Sequence, residues 1–213
     1  MREFLGVVAV LLLASCGGGS DNGNSRAVST VSTGPKIFVT ASKHVGDFKN
    51  DPLLQGANAI GKADYFCNID TNKPNNSTYK ALIVDGVNRD AVNNVDWVLK
   101  PNTLYYKSYG NVEIGKTVSN SLLPVMYTDL TNAIADRLPE SNDPYVMANN
   151  VWTGIGGPSN YLKGSDCSGW SIGDNSSSGS LGTTYQKGVL SISSVGSTWG
   201  CLQKMSLYCV EQQ

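Results

Sequence analysis

The stretch Gly56-Ala-Asn-Ala-Ile-Gly-Lys62 has the G-x-x-x-x-G-K spacing of a phosphate-binding loop, in which backbone N–H groups and a lysine cradle phosphate. That chemistry also needs a hydroxyl for Mg²⁺ at the next position, where Ala63 stands. The residues ahead of it, KHVGDFKNDPLLQ, are charged and include Pro52, so no apolar parallel strand leads into the loop. Nucleotide binding is therefore not expected. Imidazole chemistry is confined to His44, the only histidine. A lone histidine near a strand end is usually solvated. The carboxylates Asp85, Asp90 and Asp96 fall in turn-like sequence, where such groups face water. Catalysis is not expected, and no cofactor is implied.

The N-terminus sets the compartment. MREFLGVVAVLLLASC opens with Arg2 and runs apolar from Phe4 to Ala14, too short for a permanent bilayer span and suited to a signal-peptide core. Leu13-Ala-Ser-Cys16 resembles a bacterial lipobox, which implies removal of residues 1–15 and lipid attachment at Cys16. Stable anchoring follows from more than one acyl chain at about 0.8 kcal/mol per buried CH₂. Gly17 stands where an Asp would mark inner-membrane retention, so the resemblance favours the outer membrane, on a face the sequence does not encode. Residues 16–35, rich in Gly, Ser, Asn and Thr, read as a flexible tether with a root-mean-square span of roughly 25 Å. One domain of ordinary size remains over 36–213.

With 16 Lys and Arg against 17 Asp and Glu, and no basic cluster, electrostatic capture of nucleic acid is not expected. Beyond Cys16 stand Cys67, Cys167, Cys201 and Cys209. An even number in an exported chain implies two disulfides, with all three connectivities open. The absence of C-x-x-C or close Cys/His pairs argues against a metal centre.

These residues need elements to carry them. Lys36-Ile-Phe-Val-Thr40 reads as the first strand. From Leu53 to Cys67, Leu53, Ala57, Ile60, Ala63 or Asp64, and Cys67 recur at spacings of three and four, which predicts a helix weakened by Gly56 and Gly61. The Gly and Lys of the opening motif then belong to a helix that delivers Cys67 to a disulfide. Tyr79–Asp85 reads as a strand. VDWVLKPNTLYY reads as an aromatic edge with a turn at Pro101-Asn102. DLTNAIADRL reads as a short helix from Asp129, or equally as strand and loop. A Ser/Gly-rich loop is expected from Ser171 to Gly188, and Trp199–Cys201 and Ser206–Val210 read as closing strands. Short strands, one or two helices and large loops point to an α+β domain.

The segments KIFVT, GKADYFC, YKALIVD, DWVLKPNTLYY, VWTG, DCSGW and LYCV occur in this order from Lys36 to the C-terminus. With the four-cysteine spacing, they resemble a bacterial endostatin-like lipoprotein family, the DUF1554-type domain, related more distantly to C-type lectin-like domains. The resemblance implies a lectin-like α+β fold with short antiparallel sheets, and disulfides Cys67–Cys209 and Cys167–Cys201. Chain entropy would give those loops about 5 and about 3.5–4 kcal/mol as ceilings. Trp152, Trp170 and Trp199 would be core aromatics beside the bridges. The E-P-N or Q-P-D and W-N-D motifs of calcium-dependent lectins do not occur. LPESND is a loose echo, so a calcium site at Glu140, Asn142 and Asp143 is not expected. The zinc-binding histidines of endostatin are missing too.

The implied function is adhesion, with the membrane reached through the N-terminal lipid and host extracellular-matrix or plasma proteins as partners. Loops 129–150 and 171–188, with Glu140, Asn142, Asp143, Asp174 and Asn175, form the candidate contact surface. The alternatives are a small envelope hydrolase acting on glycan or peptide, and an envelope structural protein without a host ligand.

Overall fold

The computed structural model describes residues 34–213. The expected signal peptide, the lipobox-like stretch with Cys16 and nearly all of the expected tether lie outside the described residues. The tether's predicted end already belongs to the domain, because Tyr106 N donates to Pro35 O at 3.0 Å.

Two sheets organise an α+β domain. The first has the order β2-β11-β1-β3-β4, with β1 Lys36–Val39, β2 Tyr79–Ala81, β3 Leu104–Lys107, β4 Glu113–Lys116 and β11 Tyr208–Glu211. Both of its faces are covered, and side-chain alternation sorts residues between two cores. Ile37, Tyr208 and Val210 enter one, which also holds Trp97, Tyr105 and Tyr161. Phe38, Tyr79, Ala81 and Cys209 enter the other, beside Phe48, Trp152 and Trp170. The second sheet has the order β10-β5-β8-β9, from β5 Val146–Trp152, β8 Ser178–Thr183, β9 Thr198–Gly200 and β10 Lys204–Ser206. A small hairpin joins β6 Ile155–Gly157 to β7 Leu162–Lys163. Most pairings are antiparallel, but β1 with β3 and β10 with β5 run parallel.

The helix α1 spans Ala59–Ile69 and buries Ala59, Ile60, Ala63, Phe66 and Cys67. It starts six residues later than the apolar spacing predicts. Asn58 caps it, its Oδ1 accepting Gly61 N at 2.8 Å, the usual way to satisfy a first-turn amide. Gly56 has φ +153° with no room for a Cβ beside Gly61 and Lys62, so the chain cannot be helical there, and Leu53 is left 81% exposed. Lys62, the lysine of the phosphate-loop spacing, donates to Lys49 O and Asp51 O at 3.0 and 2.7 Å. It is a helix-to-loop tie.

Several other expectations shift for traceable reasons. The strand expected over Tyr79–Asp85 keeps its alternation but is shorter, Tyr79–Ala81: Leu82 N still donates in register to Tyr208 O, whereas Val84 N has turned away to Thr153 O. The single closing strand Ser206–Val210 divides at Leu207, whose amide donates to Thr40 Oγ1 at 2.9 Å as the chain passes from one sheet to the other. Residues 129–138 form no helix. Leu130 and Ile134 are buried as an i, i+4 pair would be, yet the amides of Leu130, Asn132 and Ala135 go to Lys187 O, Ile114 O and Thr184 O. The Ser/Gly-rich stretch expected as loop contains β8, with Gly179–Gly182 buried. Trp152 and Trp170 are fully buried, whereas Trp199 sits on the edge strand β9 and is 46% exposed.

The disulfides are Cys67–Cys209, joining α1 to β11 across 142 positions, and Cys167–Cys201, across 34. Cys167 opens the four-residue turn α2, Cys167–Trp170, whose φ angles of 51°, 56°, 70° and 59° are all left-handed. Such a conformation costs roughly 1–2 kcal/mol per non-glycine residue. It is held by the disulfide and by burial of Trp170, whose indole N–H donates to Val84 O at 3.0 Å. Replacing Cys67 and Cys209 together by Ala is expected to lower the unfolding free energy by up to about 5 kcal/mol, and Cys167 with Cys201 by up to about 3.5–4. Urea unfolding of the oxidised proteins checks the order; a larger loss from the inner pair would contradict it.

Candidate functional site

The loop residues singled out by sequence do not converge on one site. Glu140 Oε1 accepts from Asn149 Nδ2 at 3.1 Å and lies 3.7 Å from the Arg137 guanidinium. Asp143 Oδ1 accepts Tyr145 N at 2.9 Å, and Asn142 is exposed. Asp174 Oδ1 accepts Ser176 N at 2.8 Å, and Asn175 lies over Gly200, where a side chain would collide with it. Among the described residues no three His, Cys, Asp or Glu side chains converge as metal ligands.

His44 differs from the solvated histidine expected. Its side chain is 10% exposed and stacks on Phe48 at 4.3 Å, with Phe66 edge-on at 5.5 Å. Nδ1 lies 2.6 Å from Val45 O, and Nε2 2.8 Å from Asp51 Oδ2. Burial pushes the Asp51 carboxyl up, but the His44 and Leu53 hydrogen bonds outweigh it and hold the group below its ordinary range. Both ring nitrogens therefore lie within hydrogen-bond distance of the protein's own oxygens.

A network that no spacing announces surrounds Arg89, which is fully buried. Its Nη1 and Nη2 grip the Asp64 carboxylate of α1, each at 2.8 Å. Nη1 also donates to Ala81 O of β2 at 2.7 Å, and Nε and Nη2 reach Asp96. Lys80 closes on Asp96 from outside. Asp85 makes the turn that presents Arg89: its Oδ1 accepts the amides of Val87, Asn88 and Arg89 at 2.7–2.9 Å. The one advance sign was the density of Asp and Asn around a single Arg in DGVNRDAVNNVD.

Clefts complete the picture. One of about 430 Å³ is lined mainly by turn residues such as Asn94, Ser119 and Asn120, and the Trp97 N–H beside it is already donated to Ser121 O. A second, of about 400 Å³, lies where β1 ends, against the turn after β3 and the segment before β5. Its walls include Val39, Tyr109, Ile134, Leu138 and Ala148. Tyr109 and Leu138 are 53% and 51% exposed at its rim. At the rim, Asp136 takes Lys107 Nζ at 2.8 Å and the Tyr109 hydroxyl at 2.6 Å. Inside stands Lys43, whose Nζ donates to Ala148 O at 3.2 Å and Ser206 Oγ at 2.9 Å. Among the described residues no carboxylate pairs with it, and burial lowers its pKa from the ordinary lysine value.

Two outcomes follow from the charged groups. Arg89→Met is expected to cost about 3–5 kcal/mol, because Asp64 and Asp96 lose their shared cation, and Arg89→Lys to recover only part of it. Chemical denaturation measures this, and a loss below about 1 kcal/mol would contradict the clamp. Burial pushes Asp85 up, but hydrogen bonds from the Asn88 side chain and three backbone amides bring its carboxyl below the ordinary 3.8. Its stabilisation is therefore present above pH 3.8 and lost as pH falls through the lower folded value. Thermal unfolding across that window is expected to show a falling midpoint, flattened in Asp85→Asn.

No curated protein matches the chain. A family model described as "Protein of unknown function (DUF1554)" matches residues 54–187. The match takes in α1, Arg89 with both its carboxylates, and β8, together with most walls of the second cleft. It covers more than half of the chain, which therefore belongs to the DUF1554 family.

Proposed function

We propose that the chain is a lipoprotein anchored by Cys16 in the bacterial outer membrane, and that its folded domain is a lectin-like binding module. Its role is adhesion to host extracellular-matrix or plasma proteins. The N-terminal sequence and the family resemblance support the anchor and the kind of partner. The observation that carries a binding role is the Lys43 cleft, an open, largely apolar recess with two exposed side chains at its mouth, built on a frame closed by two disulfides. Recognition surfaces commonly have this form, with loops displayed on a rigid scaffold. A hydrolase would draw on His44, and the burial of its ring against Phe48 and Phe66 speaks for binding over catalysis.

Full-length protein in detergent is expected to capture labelled matrix or plasma proteins saturably. Protease treatment of intact cells is expected to remove the domain. Survival of the domain under treatment that strips known exposed proteins would rule out host contact.

A further inference from the structure

We propose that the Lys43 cleft is a carboxylate pocket: it takes a ligand with a single carboxylate on an apolar or aromatic body, the carboxylate on Lys43 Nζ and the body against Val39, Ile134, Leu138 and Ala148. The inference rests on the reading of this cleft as a binding site and names what it recognises.

An ammonium has three donors, and Lys43 gives two of them to neutral oxygens, Ala148 O and Ser206 Oγ. One donor remains, on a cation that lines the cleft. Drawing an ammonium away from water toward uncharged acceptors is costly, and a charge-assisted bond to an anion offsets that cost. The acids nearby are committed elsewhere. Asp70 turns its oxygens to the amides of Ala41, Ser42 and Asn72 at 2.9–3.0 Å. Asp136 is held by Lys107 and Tyr109, and Glu140 by Asn149. None can swing to Lys43 without losing those bonds, so a carboxylate on Lys43 Nζ would be a ligand's.

Charge and shape narrow the ligand. One cation with one free donor suits a monoanion, and the second cation near the rim, Lys107, is already taken by Asp136, which leaves none for the second charge of a phosphate monoester. Apolar walls reject a small hydrophilic acid, because they repay only an apolar body that leaves water. The volume of about 400 Å³ falls within the range of small-molecule sites, roughly 300–1,000 Å³.

Phenylacetate and phenylacetamide share one body and differ in charge, which makes them the probes. NMR on full-length protein, with labelled Ile, Leu and Val methyls and lysine Cε, is expected to show saturable phenylacetate shifts at Lys43, Val39, Ile134 and Leu138. The expected Kd is about millimolar, with phenylacetamide at least about tenfold weaker. Lys43→Met is expected to weaken phenylacetate about tenfold. Tyr109→Ala, a change at an exposed rim position that leaves Lys43 in place, keeps the test open should Lys43→Met not fold; it is expected to weaken the acid about threefold with the unfolding midpoint unchanged.

Equal binding of acid and amide, undiminished binding by folded Lys43→Met, shifts centred elsewhere, or no saturable shifts would each overturn the pocket. Phenylacetate binding without capture of any matrix or plasma protein keeps the pocket and removes the adhesin. Capture that neither Lys43→Met nor excess phenylacetate alters keeps the adhesin and removes the pocket.

Discussion

A guanidinium without contact with water has to be answered by the protein on every side, and Arg89 is. Helix α1 supplies Asp64, strand β2 supplies the Ala81 carbonyl, and the turn ahead of β3 supplies Asp96. Desolvation alone would push the guanidinium toward neutrality, yet the two carboxylates hold it firmly charged. The fork geometry of arginine makes this a positional constraint, since both Asp64 oxygens must be met in one plane. The helix therefore cannot slide along the sheet without uncovering a charge. The Cys67–Cys209 bridge fixes the same helix covalently to the neighbouring strand, so α1 is registered twice by independent chemistry.

That registration lets the rest of the domain stay irregular. Among the described residues most strands span only two to four positions, and long stretches such as 117–145 carry no strand or helix. Their order comes from buried side chains and from amides bonded across distance, such as Leu130 N to Lys187 O. The left-handed turn at Cys167–Trp170 is a further case, because its unfavourable backbone is tolerated where a disulfide and two buried tryptophans surround it. The frame opens at the recess at the end of β1.

What could be read from the chain beforehand tracks how local the deciding physics was. β1 was visible as a short β-prone run whose Ile37, Phe38 and Val39 alternate between the two cores, and the helix because Ile60, Ala63 and Cys67 share a face. Its start was misjudged because the apolar spacing continues back to Leu53, while the Asn58 cap and the backbone at Gly56 stop it. Ser206–Val210 read as one strand because nothing nearby shows that Thr40 takes the Leu207 amide. Trp199 read as core because a tryptophan carries no mark of lying on an edge strand. The site was hidden for the same reason. Lys43, in TASKHVGD, has neither spacing nor motif, and its surroundings come from Ala148 and Ser206, which lie 105 and 163 positions away.

The placement of β1 against β11 has a kinetic meaning. Ile37 faces Val210 and Phe38 faces Cys209 at the middle of the first sheet, so a strand made near the start of the domain waits for one made at its very end. Until residues 208–211 exist, β2 has no neighbour and β1 is an open edge. Contacts this remote in sequence slow folding, because the chain gives up loop entropy before any pairing returns it. The first sheet therefore closes late, only when the last segment of the domain is in place to pair with β1 and β2.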